Sequence, residues 1–265
     1  MSTFFEKIND LDILLHCDGY EREYFFAECS RLAYKGQKLA SKEFKKVGFT
    51  SYKFCSVEGA QCHIVKNSDY IVIAFRGTEP RQFSDIKADL MAWKRKSRTE
   101  GHVHAGFKNE LDKLWADIKM GLSRKGDRTI FLCGHSLGGA IATVCASRLE
   151  KDVEELYTYG SPRVGGDIFR DNLLVDHCRV VNNNDMVAKV PFWFMGYRHH
   201  GHLTYINHYG NIRELTSWQK LKDQIRGRWC ALRNFQMFDG IRDHDINKYC
   251  KKLKSLVKIE PTFGD

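Results

Sequence analysis

Proline is scarce, four in 265 residues, and no Pro/Gly/Ser-rich stretch, internal repeat or low-complexity tract interrupts the chain. A flexible linker has nowhere to sit, so one domain over residues 1–265 is expected, long enough to bury its core without covalent staples. Long apolar runs are missing too: no stretch approaches the length of a membrane-spanning helix. The N-terminal MSTFFEKINDLDILLHCDGYE carries acidic side chains where a secretory leader would be apolar. From this a cytoplasmic protein is expected, with export only by a non-classical route.

The nine cysteines lack any C-x-x-C spacing. That excludes a zinc ribbon, and an odd number excludes a closed disulfide framework. Most should be buried thiols. If SYKFCSVEGAQCHIV (51–65) folds as a hairpin turning on Glu58-Gly59, Cys55 and Cys62 lie opposite each other, as two packed thiols rather than a disulfide. Acidic residues are in deficit, 33 against 42 lysines and arginines, a formal net charge of +9. Such a field favours approach to anionic surfaces such as acidic lipid headgroups. The basic residues are dispersed, with modest clusters at WKRKSR (93–98), RGR (226–228) and KKLKSLVK (251–258). They read as a solvated face, and no nucleic-acid partner is expected.

Hydrophobic patterning gives the elements. Residues 21–40 suggest a helix with Tyr24, Phe25, Ala27, Cys29 and Leu32 on its apolar side. Three strand-like runs follow, FTSYKFCSV, QCHIVKN and DYIVIAFRG, joined by turn residues as an antiparallel meander. Tyr70 to Phe75 lacks the alternation of a half-exposed strand and should lie centrally, covered on both faces. A helix is expected over 106–124. Strand and helix then alternate through TIFLCG, SLGGAIATVCASRLE, ELYTYGS, GDIFRDNLL and HCRVVNNND, the signature of β-α-β units. The fold class is α/β, a mostly parallel sheet with antiparallel N-terminal strands and helices on both faces.

Between strand and helix stands G-H-S-L-G, a G-x-S-x-G match at Gly134, Ser136 and Gly138. A nucleophilic serine there occupies a strained turn whose neighbours must be small. The following helix N-terminus offers free N–H groups and a positive dipole end. Such a serine needs a base, and the base an orienting carboxylate, in the order Ser, Asp, His. Asp185, at the end of a strand in VVNNNDMVAKVP, is the carboxylate. For the base, His199, His200, His202, His208 and His244 all lie downstream, and position alone does not choose among them. Asp239, Asp243 and Asp245 surround His244 but are too close along the chain to fix its tautomer. His135 occupies an x position of the motif and should be a packing residue. A metal on YRHHGHLTYINHYG would need ligands that do not accompany it, so no metal is expected.

FRGT (75–78), HVHAGF (102–107), GHSLGGA (134–140), TYGSPRVG (158–165), VVNNNDMVAKVP (180–191) and DHDINKY (243–249) together resemble the successive blocks of the class 3 lipase family. The resemblance implies an α/β-hydrolase fold with Ser136 as nucleophile, Asp185 as acid and His244 as base. It implies oxyanion donors at Thr78 and the Leu137 N–H, a role for His104 in supporting the pocket, and no cofactor. Residues 79–90 take the place of the family's lid. Phe83, Ile86 and Leu90 give that segment an apolar side, and it lacks the tryptophan such lids commonly carry. The function implied is a carboxylic ester hydrolase, a lipase acting on acylglycerols at a lipid–water interface. Phospholipase A1 or a short-chain esterase would use the same residues, and a lipid-binding or signalling protein without turnover is the non-enzymatic alternative.

Overall fold

The computed structural model describes residues 4–8, 11, 20–77, 93–212 and 242–257. Thr78, the 79–90 segment and Asp239 lie outside the described residues. The chain opens with α1 (Glu21–Leu32) and α2 (Gln37–Lys46). These are two helices rather than the one expected over 21–40, because Gly36 turns to an extended conformation, φ −61° and ψ 151°, and starts the second helix afresh.

The meander forms as its pattern predicts: β1 (Ser51–Val57), β2 (Ala60–Lys66) and β3 (Tyr70–Phe75) are antiparallel neighbours. The hairpin turns on Glu58 and Gly59, both at positive φ. Cys55 stands opposite Cys62 in the register, and both are buried free thiols.

From β3 onward the sheet is parallel, running through β6 (Thr129–His135), β7 (Val153–Tyr159), β8 (Asp176–Asn182) and β9 (His202–Ile206) in the order β1-β2-β3-β6-β7-β8-β9. Every residue of β3 is buried, as its unbroken apolar run requires. A short ribbon of β4 (Lys94–Lys96) and β5 (His102–His104) was not legible in the sequence.

Helices cover both faces. On one side α3 (Ala105–Leu122) and α4 (Leu137–Leu149) pack with Phe107, Leu111, Leu114, Ile73 and Leu132 in one core. On the other, α1 and α6 (Ile246–Leu256) join Phe131, Tyr157 and Tyr159 in a second core rich in aromatic rings. The small α5 (Asp167–Asp171) lies between β7 and β8. No helix among the described residues is long and apolar enough to cross a membrane.

Candidate active site

β6 ends at His135, and α4 begins at Leu137, so the whole change of direction falls on Ser136. Its backbone sits at φ 59°, ψ −131°, a left-handed conformation that costs an L-residue energy and persists only where the surroundings impose it. They do. A Cβ on Gly138 would collide with the Phe75 carbonyl of β3, and one on Gly134 with the Gly138 backbone. Strand and helix touch backbone to backbone, and the serine stands at their junction.

The structure brings Ser136, His244 and Asp185 together. Ser136 Oγ lies 2.8 Å from His244 Nε2, and His244 Nδ1 lies 2.8 Å from Asp185 Oδ2. A carboxylate only accepts, so Nδ1 carries the proton, and in the neutral ring Nε2 is left to accept from the serine hydroxyl. All three side chains are buried, Ser136 at 2% exposure and Asp185 at 0%. Beside them the Leu137 N–H, at the first position of α4, has no acceptor among the described residues. It is free to donate toward an oxygen at the serine.

Three further groups hold this arrangement, two of which, Tyr249 and Val187, the sequence reading did not single out. Tyr249, on α6, donates to Asp185 Oδ2 at 2.5 Å, and the Val187 N–H donates to Oδ1 at 2.9 Å. Burial, and then the Asp185 charge, pushes the Tyr249 hydroxyl well above the usual phenol range, so it stays protonated and keeps donating. His135 is more than a packing residue. Its Nε2 lies 2.6 Å from the His244 carbonyl and its Nδ1 2.9 Å from Tyr34 Oη. Burial, with His244 nearby, holds the His135 imidazole well below its ordinary pKa. It is therefore neutral, with Nε2–H donating to the carbonyl and Nδ1 accepting from Tyr34.

The base is also fixed from below. Asp245 caps α6, accepting from the Asn247 N–H at 2.9 Å. Asp243 accepts from Asn183 Nδ2 at 2.9 Å, its carbonyl accepts from Asn182 Nδ2 at 2.8 Å, and Lys252 donates to Asn182 Oδ1 at 2.6 Å. The carboxylates flanking His244 thus bind its loop to the β8 end and to α6, and neither competes with Asp185. Most of these partners lie within the quoted blocks, Tyr249 as the last residue of DHDINKY and Asn182, Asn183 and Val187 in VVNNNDMVAKVP, but nothing in the sequence pairs them.

The other histidines go elsewhere. His199 Nε2 lies 2.8 Å from the Ala188 carbonyl, and His177 Nδ1 lies 3.1 Å from His200 Nδ1. His104 accepts from the Gly106 N–H at 3.1 Å and stacks on Phe107, so its role is to cap α3. Among the described residues no three His, Cys, Asp or Glu side chains converge to hold a metal ion.

A mostly parallel sheet, helices on both faces and a serine elbow between β6 and α4 define the α/β-hydrolase class. Within it, residues 72–195 match the family model described as lipase (class 3). The chain is similar to secreted mono- and diacylglycerol lipase 1 of Fusarium solani, 42% identical over 106 residues, covering 37% of this chain and 32% of that protein. Secreted mono- and diacylglycerol lipase MDL2 of Malassezia globosa is 30% identical over 151 residues, 52% of this chain and 48% of that one. Rhizomucor miehei triacylglyceride lipase superposes with a TM-score of 0.63 at 21% identity, covering 83% of this chain and 90% of that one. The chain spans 32% and 48% of the length of these two curated relatives. Both are named as secreted proteins, which overturns the cytoplasmic expectation. The acidic, leaderless reading of residues 1–21 describes that stretch alone and does not fix a compartment.

Proposed function

We propose that this chain is a serine carboxylic ester hydrolase, a lipase that cleaves acylglycerols through an acyl-enzyme. The observation that carries the reading is the relay from Ser136 Oγ through His244 to Asp185, with 2.8 Å at each step. Ser136 attacks the ester carbonyl as His244 Nε2 takes its proton, and the Leu137 N–H stabilises the developing oxyanion. Asp185 holds the ring in the tautomer this requires and balances the imidazolium. The imidazolium returns its proton to the departing alcohol, and water activated by the same nitrogen then hydrolyses the acyl-enzyme. In this reading Thr78 supplies a second oxyanion donor and residues 79–90 act as a lid, both on the strength of the family blocks.

Residues 1–265 are treated as one catalytic domain, supported by the single seven-stranded sheet with a core on each face. The substrate partner is a lipid ester met at a lipid–water interface, and the relatives' names favour an extracellular setting. Ser136→Ala should lower hydrolysis of p-nitrophenyl esters by about 10⁴-fold or more with the melting temperature preserved. Activity retained in that variant would sink the mechanism. Running emulsified triacylglycerol, phospholipid and short-chain esters side by side on the parent separates lipase from phospholipase A1 and esterase, and inactivity on all three would favour a lipid-binding role.

A further inference from the structure

Two stretches of this chain carry cations and no carboxylate of their own. Residues 186–212 contain Lys189 and Arg198 and not one Asp or Glu, and WKRKSR at 93–98 contains none either. The structure brings these stretches together. Lys94 donates to the Gly196 carbonyl at 2.8 Å and lies 4.7 Å from the Tyr197 ring centroid. Arg198 donates to the Trp193 carbonyl at 2.8 Å and pairs with Asp167 at 3.1 Å, as Arg98 does with Asp112 at 3.1 Å, so the unneutralised charge of the surface is that of β4.

What these cations hold is a turn, Trp193–Met195, whose large side chains face outward. Trp193 is 66% exposed and Phe194 68%, and Trp93, beside Lys94 in the chain, is 89% exposed. Phe192 stacks on Phe194 at 5.2 Å, and Trp193 meets Phe194 edge-on at 6.2 Å, so the rings form one cluster. Each ring pays a hydration cost that a core position would have removed. Isolated exposed apolar residues need no explanation, but contiguous aromatic clusters mark interaction sites.

We propose that this aromatic turn, with Trp93 and the β4 cations, is the surface by which the protein docks on anionic lipid. Rings of this kind settle at the level of the headgroups, apolar body inward and polar edge outward. Arg95 and Lys96 are exposed and form no ion pair among the described residues, so their charge is available to acidic headgroups. Two weak signals, apolar insertion and electrostatic attraction, give stable attachment where one alone gives marginal binding. The turn lies in the connection that leaves the Asp185 end of β8 and crosses to the start of β9, where His202 pairs with Cys178. The inference rests on the ester-hydrolase reading for its lipid substrate, but it can be tested without turnover.

Sedimentation of the Ser136→Ala protein with vesicles of phosphatidylcholine, with and without phosphatidylglycerol, measures docking while nothing is hydrolysed. Hydrolysis of a water-soluble ester by the parent tests the catalytic reading separately. In the Ser136→Ala background, adding Trp193→Ser and Phe194→Ser should lower the partition coefficient on anionic vesicles about tenfold or more. Arg95→Ala with Lys96→Ala should weaken binding to phosphatidylglycerol-containing vesicles selectively. Leu174→Ser, which removes another exposed apolar side chain, should leave binding unchanged. Equal binding by the aromatic double variant overturns the proposal, as does an equal loss in Leu174→Ser. Absence of vesicle binding, together with self-association that the double variant abolishes, would assign the cluster to contacts between copies and overturn it as well.

Discussion

Tyr249 tests the site one atom at a time. Its hydroxyl donates to Asp185 and accepts from the Asn182 N–H at 3.1 Å, so it ties the acid to the strand that carries it. Tyr249→Phe keeps the ring in its core and removes only those bonds. A hydrogen bond to a charged acceptor contributes roughly 1.5–3 kcal/mol, so kcat on a water-soluble ester should fall about tenfold with little change in KM. Unchanged kinetics would mean that the Val187 N–H and His244 suffice to hold the acid. At this scale Ser136 and its motif were legible because the elbow's chemistry demands glycine at fixed offsets. His135 was misread, because the motif says nothing of a loop 109 residues away whose carbonyl its ring would meet. Choosing His244 over its rivals needed the family blocks, since no local pattern marks an imidazole whose partner comes from another strand.

Among elements, the contact of β3, β6 and α4 sets the geometry of the whole site. Gly138→Ala would drive a methyl group into the Phe75 carbonyl, a backbone atom that can move only with its strand. A loss of about 3 kcal/mol is expected, read as a lower urea midpoint, and with it a loss of hydrolysis larger than the stability change explains. A variant with parental stability would show that α4 can slide without cost. The regular elements were legible where their pattern was long: the meander, the buried β3 and the alternation from β6 to β8. The β4–β5 ribbon was not, because three residues per strand are too few to show a period. The break at Gly36 was hidden by apolar residues on both sides of it.

For the molecule as a whole, acid is the informative variable. Burial holds His63 at about 4, and it holds His135, His177 and His199 well below their ordinary value. Above about pH 6.5 these imidazoles are neutral folded or unfolded and add no pH dependence. Below that, the unfolded chain takes up protons that the folded chain refuses. Stability then falls by about 1.4 kcal/mol per pH unit for each such histidine, and for His63 the loss ends near its folded value of about 4. The urea midpoint should therefore drop steadily from about pH 6.5 toward 4, whereas a flat midpoint across that window would show that the folded imidazoles protonate.

The distance in sequence between the serine and its base has a consequence for how the protein is made. His244 follows Ser136 by 108 residues, which at roughly 5–20 residues per second takes a ribosome about 5–20 s. Throughout that interval Ser136 has no imidazole to take its proton, whatever has folded around it. Only when α6 arrives and Tyr249, Asp243 and Lys252 fasten it to the end of β8 does the nucleophile gain its partner. On the ester-hydrolase proposal, the order of synthesis keeps the chain inert toward esters around it until its last described helix is in place.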